Sequence, residues 1–382
     1  MKIRTITTGI ELENISDYNQ IKEAAKFNRS AAEIFRNEGY DVQTTRIATN
    51  SFEEYTKSLS PEEIIEGMQN IDKICEQDNI NFFSIGYADK PARIGLIAEI
   101  ISTTSSISAS GKIGDREIGI DRQNIKKSAG VIKSIAENTD NGFGNFRFCA
   151  ASNCPPSIPF FPAAYHQGTQ PAFAIGLECG DLALQAFSKA ADFKDAKHRL
   201  KVIFEKKLNK IEEIAKNIAR ENHMSYHGID ASLAPGLKKD QSVAFAYESI
   251  LGGHFGAQGT LHISSMITEV LKNLTVKTCG YSGLMLPVCE DLGLAAGANR
   301  DHYDITNLLL YSAVCGCGLD TVPVAGDITI REIEAILLDT AALSIKLDKP
   351  LSVRLFPVPD KKAGEMTDFD SPYLTNCKIF KI

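Results

Sequence analysis

The sequence is short of positive charge: 41 Lys and Arg against 48 Asp and Glu leave a formal net charge of -7 over 382 residues. That balance provides no basic footprint for nucleic acid and argues against adhesion to anionic membrane surfaces. Long apolar runs are missing as well, since no stretch approaches the ~18 uninterrupted apolar residues of a spanning helix. The opening segment MKIRTITTGIELEN lacks the apolar core and small-residue cleavage site of a secretory leader. There is no C-x-x-C pair and no HExxH, so the usual spacings of a zinc knuckle or a zincin are absent. Internal repeats, low-complexity tracts and a convincing linker are also lacking. These absences predict one cytoplasmic domain spanning 1–382, with neither nucleic acid nor membrane as partner. A small-molecule ligand and further copies of the chain, as a homo-oligomer, are the expected partners. The nine cysteines, an odd number scattered along the chain, suit a reducing compartment better than a disulfide framework.

What is present alternates between strand-like and helix-like runs. Ile3–Thr8 reads as a first strand, followed by a helix from Asp17, which with Gln20 makes a capping-box signal, to Gly39. Val42–Ala48 is a second strand. Ser60-Pro61-Glu62-Glu63 then opens a helix, with a serine cap, a proline in the first turn and carboxylates at the positive pole. Asn81–Gly86 and Ser102–Ala109 are further strand candidates. A strand running into a proline-rigidified apolar loop occupies the centre (NFRFCAASNCPPSIPFFPAAY), too apolar for a linker and suited to lining a pocket. The longest predicted helix, Lys194–Asn222, carries Leu200, Phe204, Leu208, Ile211, Ala215 and Ile218 on one face. Met224–Ile229, Ser282–Val288, Asp320–Val324 and Leu351–Leu355 resume the strand pattern, and Thr329 with Glu332 caps a helix reaching about Ile345. This rhythm is that of a sheet covered by helices.

Chemistry concentrates between His254 and Asp327. Cys315-Gly316-Cys317-Gly318 sets two thiols among glycines that leave the sulfurs open, close to Asp320, and Cys289-Glu290-Asp291 lies nearby. Against a reactive Cys315 stands its expected position at a helix C-terminus, where the dipole disfavours a thiolate. Buried thiols packed as small hydrophobes are the simpler reading of these cysteines. The glycine-rich run Gly252–Thr260, including His254, could present amides to an anion, but it lacks the Lys-Ser/Thr of a P-loop and the strand-then-GxGxxG context of a dinucleotide site. Glycine packing at a turn explains it more simply. Arg147, Asn153, Tyr165 and His166 are convergent polar groups around the proline loop, although Arg147 could equally pair with any carboxylate. Asp230 and Ser232 follow a strand, at the edge where sites collect in parallel α/β folds.

Four segments together, Asn145–Tyr165, Gly228–Pro235 (GIDASLAP), Val314–Asp327 (VCGCGLDTVPVAGD) and Val353–Gly364 (VRLFPVPDKKAG), resemble the family catalogued as domain of unknown function 711, also called uncharacterised protein family 0210. The likeness runs across nearly the whole chain and implies no established activity. It implies a fold similar to the ten-stranded α/β barrel of pyruvate formate-lyase-like glycyl radical enzymes, in which two antiparallel half-barrels enclose a central loop bearing reactive cysteines. The radical-bearing Arg-Val-x-Gly-Tyr segment has no counterpart, for Gly364 sits in Lys-Lys-Ala-Gly-Glu, and Asp368–Pro372 stands where the family has Phe-Gly-Gly.

The expectation is therefore an enzyme acting on a small polar or anionic metabolite in a central pocket. Cys315 or Cys317 would serve as nucleophile or redox centre, with Asp320, Glu290 and Asp291 as acid–base or metal-ligating groups. Arg147, Asn153, His166, Asp230, Ser232 and His254 would contact the substrate. A non-catalytic metabolite-binding or regulatory oligomer and a metal-dependent lyase or hydrolase are the alternatives. The sequence names no metal and no cofactor.

Overall fold

The computed structural model describes residues 1–314 and 316–382. Its strands are β1 (Lys2–Ile10), β2 (Val42–Thr49), β3 (Phe83–Ala88), β4 (Ile107–Asp115), β5 (Gly119–Ile120), β6 (Phe148–Ser152), β7 (Ala172–Glu178), β8 (Ser225–Asp230), β9 (Gly318–Ala325) and β10 (Leu351–Val358). Among the described residues the helices are α1 (Tyr18–Asn37), α2 (Phe52–Tyr55), α3 (Pro61–Gln77), α4 (Pro91–Ser102), α5 (Arg122–Asn138), α6 (Gly180–Phe187), α7 (Phe193–Asn222), α8 (Val243–Leu251), α9 (Thr260–Lys272), α10 (Leu292–Asn299), α11 (Ile305–Val314) and α12 (Ile330–Leu347). None of them is long and apolar enough to cross a membrane.

All ten strands join one mixed sheet, ordered β8-β7-β1-β2-β3-β4-β6-β10-β9 with β5 attached to β4. The run from β1 through β4 to β6 is parallel. On either side a parallel pair is turned against it, β7–β8 through an antiparallel β1–β7 ladder and β9–β10 through an antiparallel β6–β10 ladder. The sheet is not closed. Between its edges β8 and β9, the segment 277–287 makes only isolated parallel bridges, Ile229 to Thr278, Leu233 to Leu284 and Pro287 to Asp320. The strand expected at Ser282–Val288 is thus irregular chain, because Gly280, Gly283 and Pro287 interrupt a ladder.

Local signals account for most elements. Ser60 and Glu63 form the complete capping box of α3, and Thr329 and Glu332 that of α12. The expected face of α7 is buried from Leu200 to Ile218. Two expectations were displaced. Asp17 does precede α1, but its carboxylate turns back to accept from the amides of Glu13 and Asn14, so no capping box forms. Ser102 ends α4, and the following strand begins only at Ile107, because the apolar run Ile94–Ile101 is long enough to bury a helical face.

Candidate functional site

Three strands carry an arginine amid apolar and β-branched residues: Arg4 in β1, Arg46 in β2 and Arg354 in β10. Their guanidiniums face one cavity of about 60 Å³, although β10 lies far from the adjacent pair β1 and β2 in the sheet order. Glu290 and Asp320 line it too, with Cys149, Cys317, Tyr281 and Ser352, and Phe82, Phe146, Phe160 and Phe161 form apolar walls. At roughly 10–15 Å³ per water-sized group, the space takes about four to six such groups.

Two irregularities in the ladders lie at the site. Between β1 and β7, Ile3 pairs with Leu177 and Thr5 with Gly176, so Arg4 has no residue opposite it. Between β10 and β9, Val353 pairs with Leu319 and Leu355 with Val322, so Asp320 and Thr321 oppose Arg354 alone. Thr321 takes up the extra residue in the left-handed region, at φ 45°. Extra residues of this kind bend a strand and re-aim its side chains. The Thr321 hydroxyl then accepts from the Cys289 amide at 3.2 Å, which holds the turn that presents Glu290.

Electrostatics ties the far elements together. Glu290 accepts from Arg354 Nη2 at 2.6 Å through one oxygen and pairs with Arg4 through the other. Arg354 Nε donates to Asp320 at 2.7 Å, and its guanidinium lies 5.0 Å from the Phe146 ring centre. Burial pushes the Glu290 carboxyl up, but Arg354 and Arg4 prevail and hold it below its ordinary value. For Asp320 the balance reverses, since burial and the neighbouring Glu290 charge raise it despite Arg354. Asp320 is therefore the cavity carboxyl poised to take up a proton.

Arg46 stands apart. It is buried, 8% exposed, and among the described residues no carboxylate lies within ion-pairing distance of it. Its Nε donates to Thr44 at 3.2 Å, and its guanidinium sits 4.7 Å from the Phe82 ring centre and 5.2 Å from that of Phe161. Burial first, then the Arg4 charge and, after it, that of Arg354 lower its pKa to about 9 against the longer-range pull of Glu290. Of the three guanidiniums lining the cavity, Arg354 pairs with Glu290 and Asp320, and Arg4 pairs with Glu290 and, at 3.6 Å, with Glu178 behind the wall, so Arg46 alone lacks an ion pair among the described residues.

The thiols have a different character. Burial pushes Cys149 well above its ordinary value and Cys154 up to about 12. Tyr281 Oη donates to Ser352 at 2.8 Å and lies 3.6 Å from Cys154 Sγ. Cys289 and Cys377 sit with sulfurs 3.8 Å apart outside the cavity.

Of the residues singled out in the sequence, Cys317, Glu290 and Asp320 share this cavity. Cys315 lies outside the described residues. Asp291 instead caps α10, accepting from the Gly293 and Leu294 amides, and also receives Ser242 and Val243, so its valence is spent on helix ends. Asp230 is fully buried and accepts from the Ser232 hydroxyl and the Tyr281 and Ser282 amides; with Ser232 it shapes the turn that delivers Tyr281 without reaching the cavity. Arg147 donates to the Ile101 and Ile107 carbonyls, which pins the end of α4 to β4. Asn153 links the Arg116 amide to Ser344 of α12. His254 is exposed at the turn between α8 and α9, its ring stacked 3.7 Å from that of His302. His166 lines a separate small recess with Ser157 and His227. Among the described residues no three His, Cys, Asp or Glu side chains gather as a metal site.

Arg4, Arg46 and Arg354 were missed by reading the sequence, yet each leaves a trace there: an arginine inside IRTITT, VQTTRIAT and SVRLFPV, where a buried strand seldom tolerates a charge without a partner.

Similarity to known proteins extends over nearly all of this architecture. The UPF0210 protein of Acetivibrio thermocellus is 27% identical, and that of Thermoanaerobacter sp. 28%, each over 97% of this chain and 88% of the relative. The UPF0210 protein of Methanocaldococcus jannaschii is 25% identical over the same shares. A family model described as Uncharacterised ACR (DUF711) matches residues 1–370, and with that span the chain belongs to the DUF711 family.

Proposed function

We propose that the arginine-lined cavity binds a small carboxylate or comparable anion and that the protein is an enzyme acting on it. Arg46 is the anchor for the negative charge and Asp320 the group that moves a proton. The observation that carries this reading is Arg46 itself. A buried guanidinium without a counter-ion is costly, and a bound anion would supply the missing partner with a bidentate geometry. Glu290 acts as counter-ion to Arg4 and Arg354, which keeps both arginines in position. Burial and Glu290 raise the Asp320 carboxyl above its ordinary value, the direction that suits a carboxyl to acid–base work. Cys317 completes the wall of the same cavity. The neutral state of Cys149 favours carboxylate-based proton transfer over a thiolate nucleophile at that position.

The same reading takes residues 1–382 as one domain, supported by a core cluster that runs from Ile3 to Phe380. It also takes the sheet to approach the ten-stranded barrel of the glycyl radical enzymes. The parallel bridges of the 277–287 segment to both sheet edges support that, since they have the direction a closing strand requires.

Thermal-shift measurement against small mono- and dicarboxylates and inorganic phosphate tests the proposal. At least one anion should raise the melting temperature of the wild type and leave Arg46→Gln unmoved; a ligand at 100 times its Kd contributes about 2.7 kcal/mol. Each anion that binds is then followed for conversion by NMR, with Asp320→Asn expected to slow it by about 10²–10⁴-fold. Binding without conversion would make the protein a metabolite sensor. No shift with any anion, or an equal shift in Arg46→Gln, would overturn the reading.

A further inference from the structure

A second constellation lies in the recess that contains His166. The proline loop after β6 reaches Ser157, whose amide donates to the Tyr165 carbonyl at 3.0 Å, and returns to His166, whose amide donates to the Thr49 carbonyl at 2.9 Å. Ser157 is held in the left-handed region at φ 66°, a conformation that costs a non-glycine residue energy and that clusters at functional sites. Its hydroxyl is hydrogen-bonded to Nδ1 of His227 on β8. His166 is only 3% exposed, and its Nε2 has no hydrogen-bond partner. Its ring lies over Gly9 of β1, where any side chain would collide with Nδ1. Burial lowers both imidazoles, with Lys277 and His166 lowering His227 further, so both rings are neutral near pH 7. Among the described residues no carboxylate pairs with either ring. The recess itself has room for one water-sized group, about 10 Å³, and Ser157 and His227 at its rim are partly exposed.

We infer that Ser157 and His227 form a serine–histidine dyad that cleaves small carboxylic esters with good leaving groups, at a site separate from the arginine-lined cavity. A serine hydroxyl hydrogen-bonded to a neutral imidazole is the arrangement that activates a nucleophile. The Ser157 oxygen attacks the ester carbonyl carbon while its proton passes to His227 Nδ1. The bond from carbonyl carbon to leaving oxygen then breaks, and that oxygen takes the proton from His227. Water, deprotonated by the same ring, attacks the acyl-serine, releasing the acid and restoring the hydroxyl. With no carboxylate to support the imidazolium, the dyad suits activated esters and not amides.

The test uses the full-length protein, a fluorophosphonate probe and p-nitrophenyl acetate. One probe should add covalently to Ser157, located by peptide mass spectrometry, and the ester should give a p-nitrophenolate burst. Ser157→Ala removes both. Ser157→Gly does the same and tolerates the left-handed backbone, which guards against a folding artefact. His227→Gln should slow labelling about 100-fold or more, whereas Ser58→Ala, an exposed serine elsewhere, labels at the wild-type rate. Absence of a Ser157 adduct, or equal labelling rates in His227→Gln and wild type, overturns the inference. No step involves the anion cavity, so this outcome is independent of that proposal.

Discussion

If Arg46 is retained for a ligand, the ligand-free protein should become more stable without it. Burial and the neighbouring cations lower its pKa from 12.5 to about 9, and at about 1.36 kcal/mol per unit that sets roughly 5 kcal/mol against the charged form. An arginine does not escape by deprotonating at neutral pH, so the cost falls on folding. Arg46→Met keeps a long apolar stem, removes the charge, and forfeits stacking on Phe82 and Phe161, about 2 kcal/mol, and the bond to Thr44, about 1.5 kcal/mol. The balance is a gain of about 1–2 kcal/mol. A chain of 382 residues unfolds with an entropy near 0.8 kcal/mol per kelvin, so the melting temperature should rise by roughly 1–3 °C. Differential scanning calorimetry in anion-poor buffer measures this directly. A fall of that size instead would mean that Arg46 is a structural cation and refute the reasoning.

Glu290→Gln should act in the opposite direction. It removes the shared counter-ion of Arg4 and Arg354, and breaking a buried pair costs about 3–5 kcal/mol, a loss of roughly 4–6 °C by the same conversion; a change under about 1 °C would contradict the network. His166 and His227 are held below the ordinary 6.5 in the fold. The unfolded chain therefore binds more protons as the pH drops below that value, and stability is lost on acidification, by up to about 1.4 kcal/mol per pH unit for each ring. Urea midpoints measured from pH 7.5 to 5 should decline below about 6.5, and the decline should flatten in His227→Gln. Gly280 has φ 60°, and a Cβ there would collide with Asp230 Oδ2. Gly280→Ala should destabilise by about 2 kcal/mol or more in urea unfolding, with wild-type behaviour excluding the tight turn that delivers Tyr281.

Much of the fold is legible along the chain because its causes are local. The capping boxes at Ser60 and Thr329 and the stripe from Leu200 to Ile218 need only neighbours within one or two turns. The Asp17 box failed for an equally local reason, since the Glu13 and Asn14 amides competed for the same carboxylate. Glu290 and Asp320 were legible as ionisable groups beside glycine turns, but Asp291 has the same signature and caps a helix, which no spacing rule separates from catalysis.

The sequence by itself determined the alternation of strands and helices, the caps that start α3 and α12, and the family to which the chain belongs. Tertiary structure alone decided the site. Arg4 and Glu290 stand 286 residues apart and meet only because β9 holds the turn that carries Glu290 over the cavity that β1 also lines, with ladder irregularities at Arg4 and at Asp320. It also decided which charges go unpaired. A counter-ion is a fact of distance in space and dielectric, so Arg46 looks like any other arginine until burial removes the water that would have screened it.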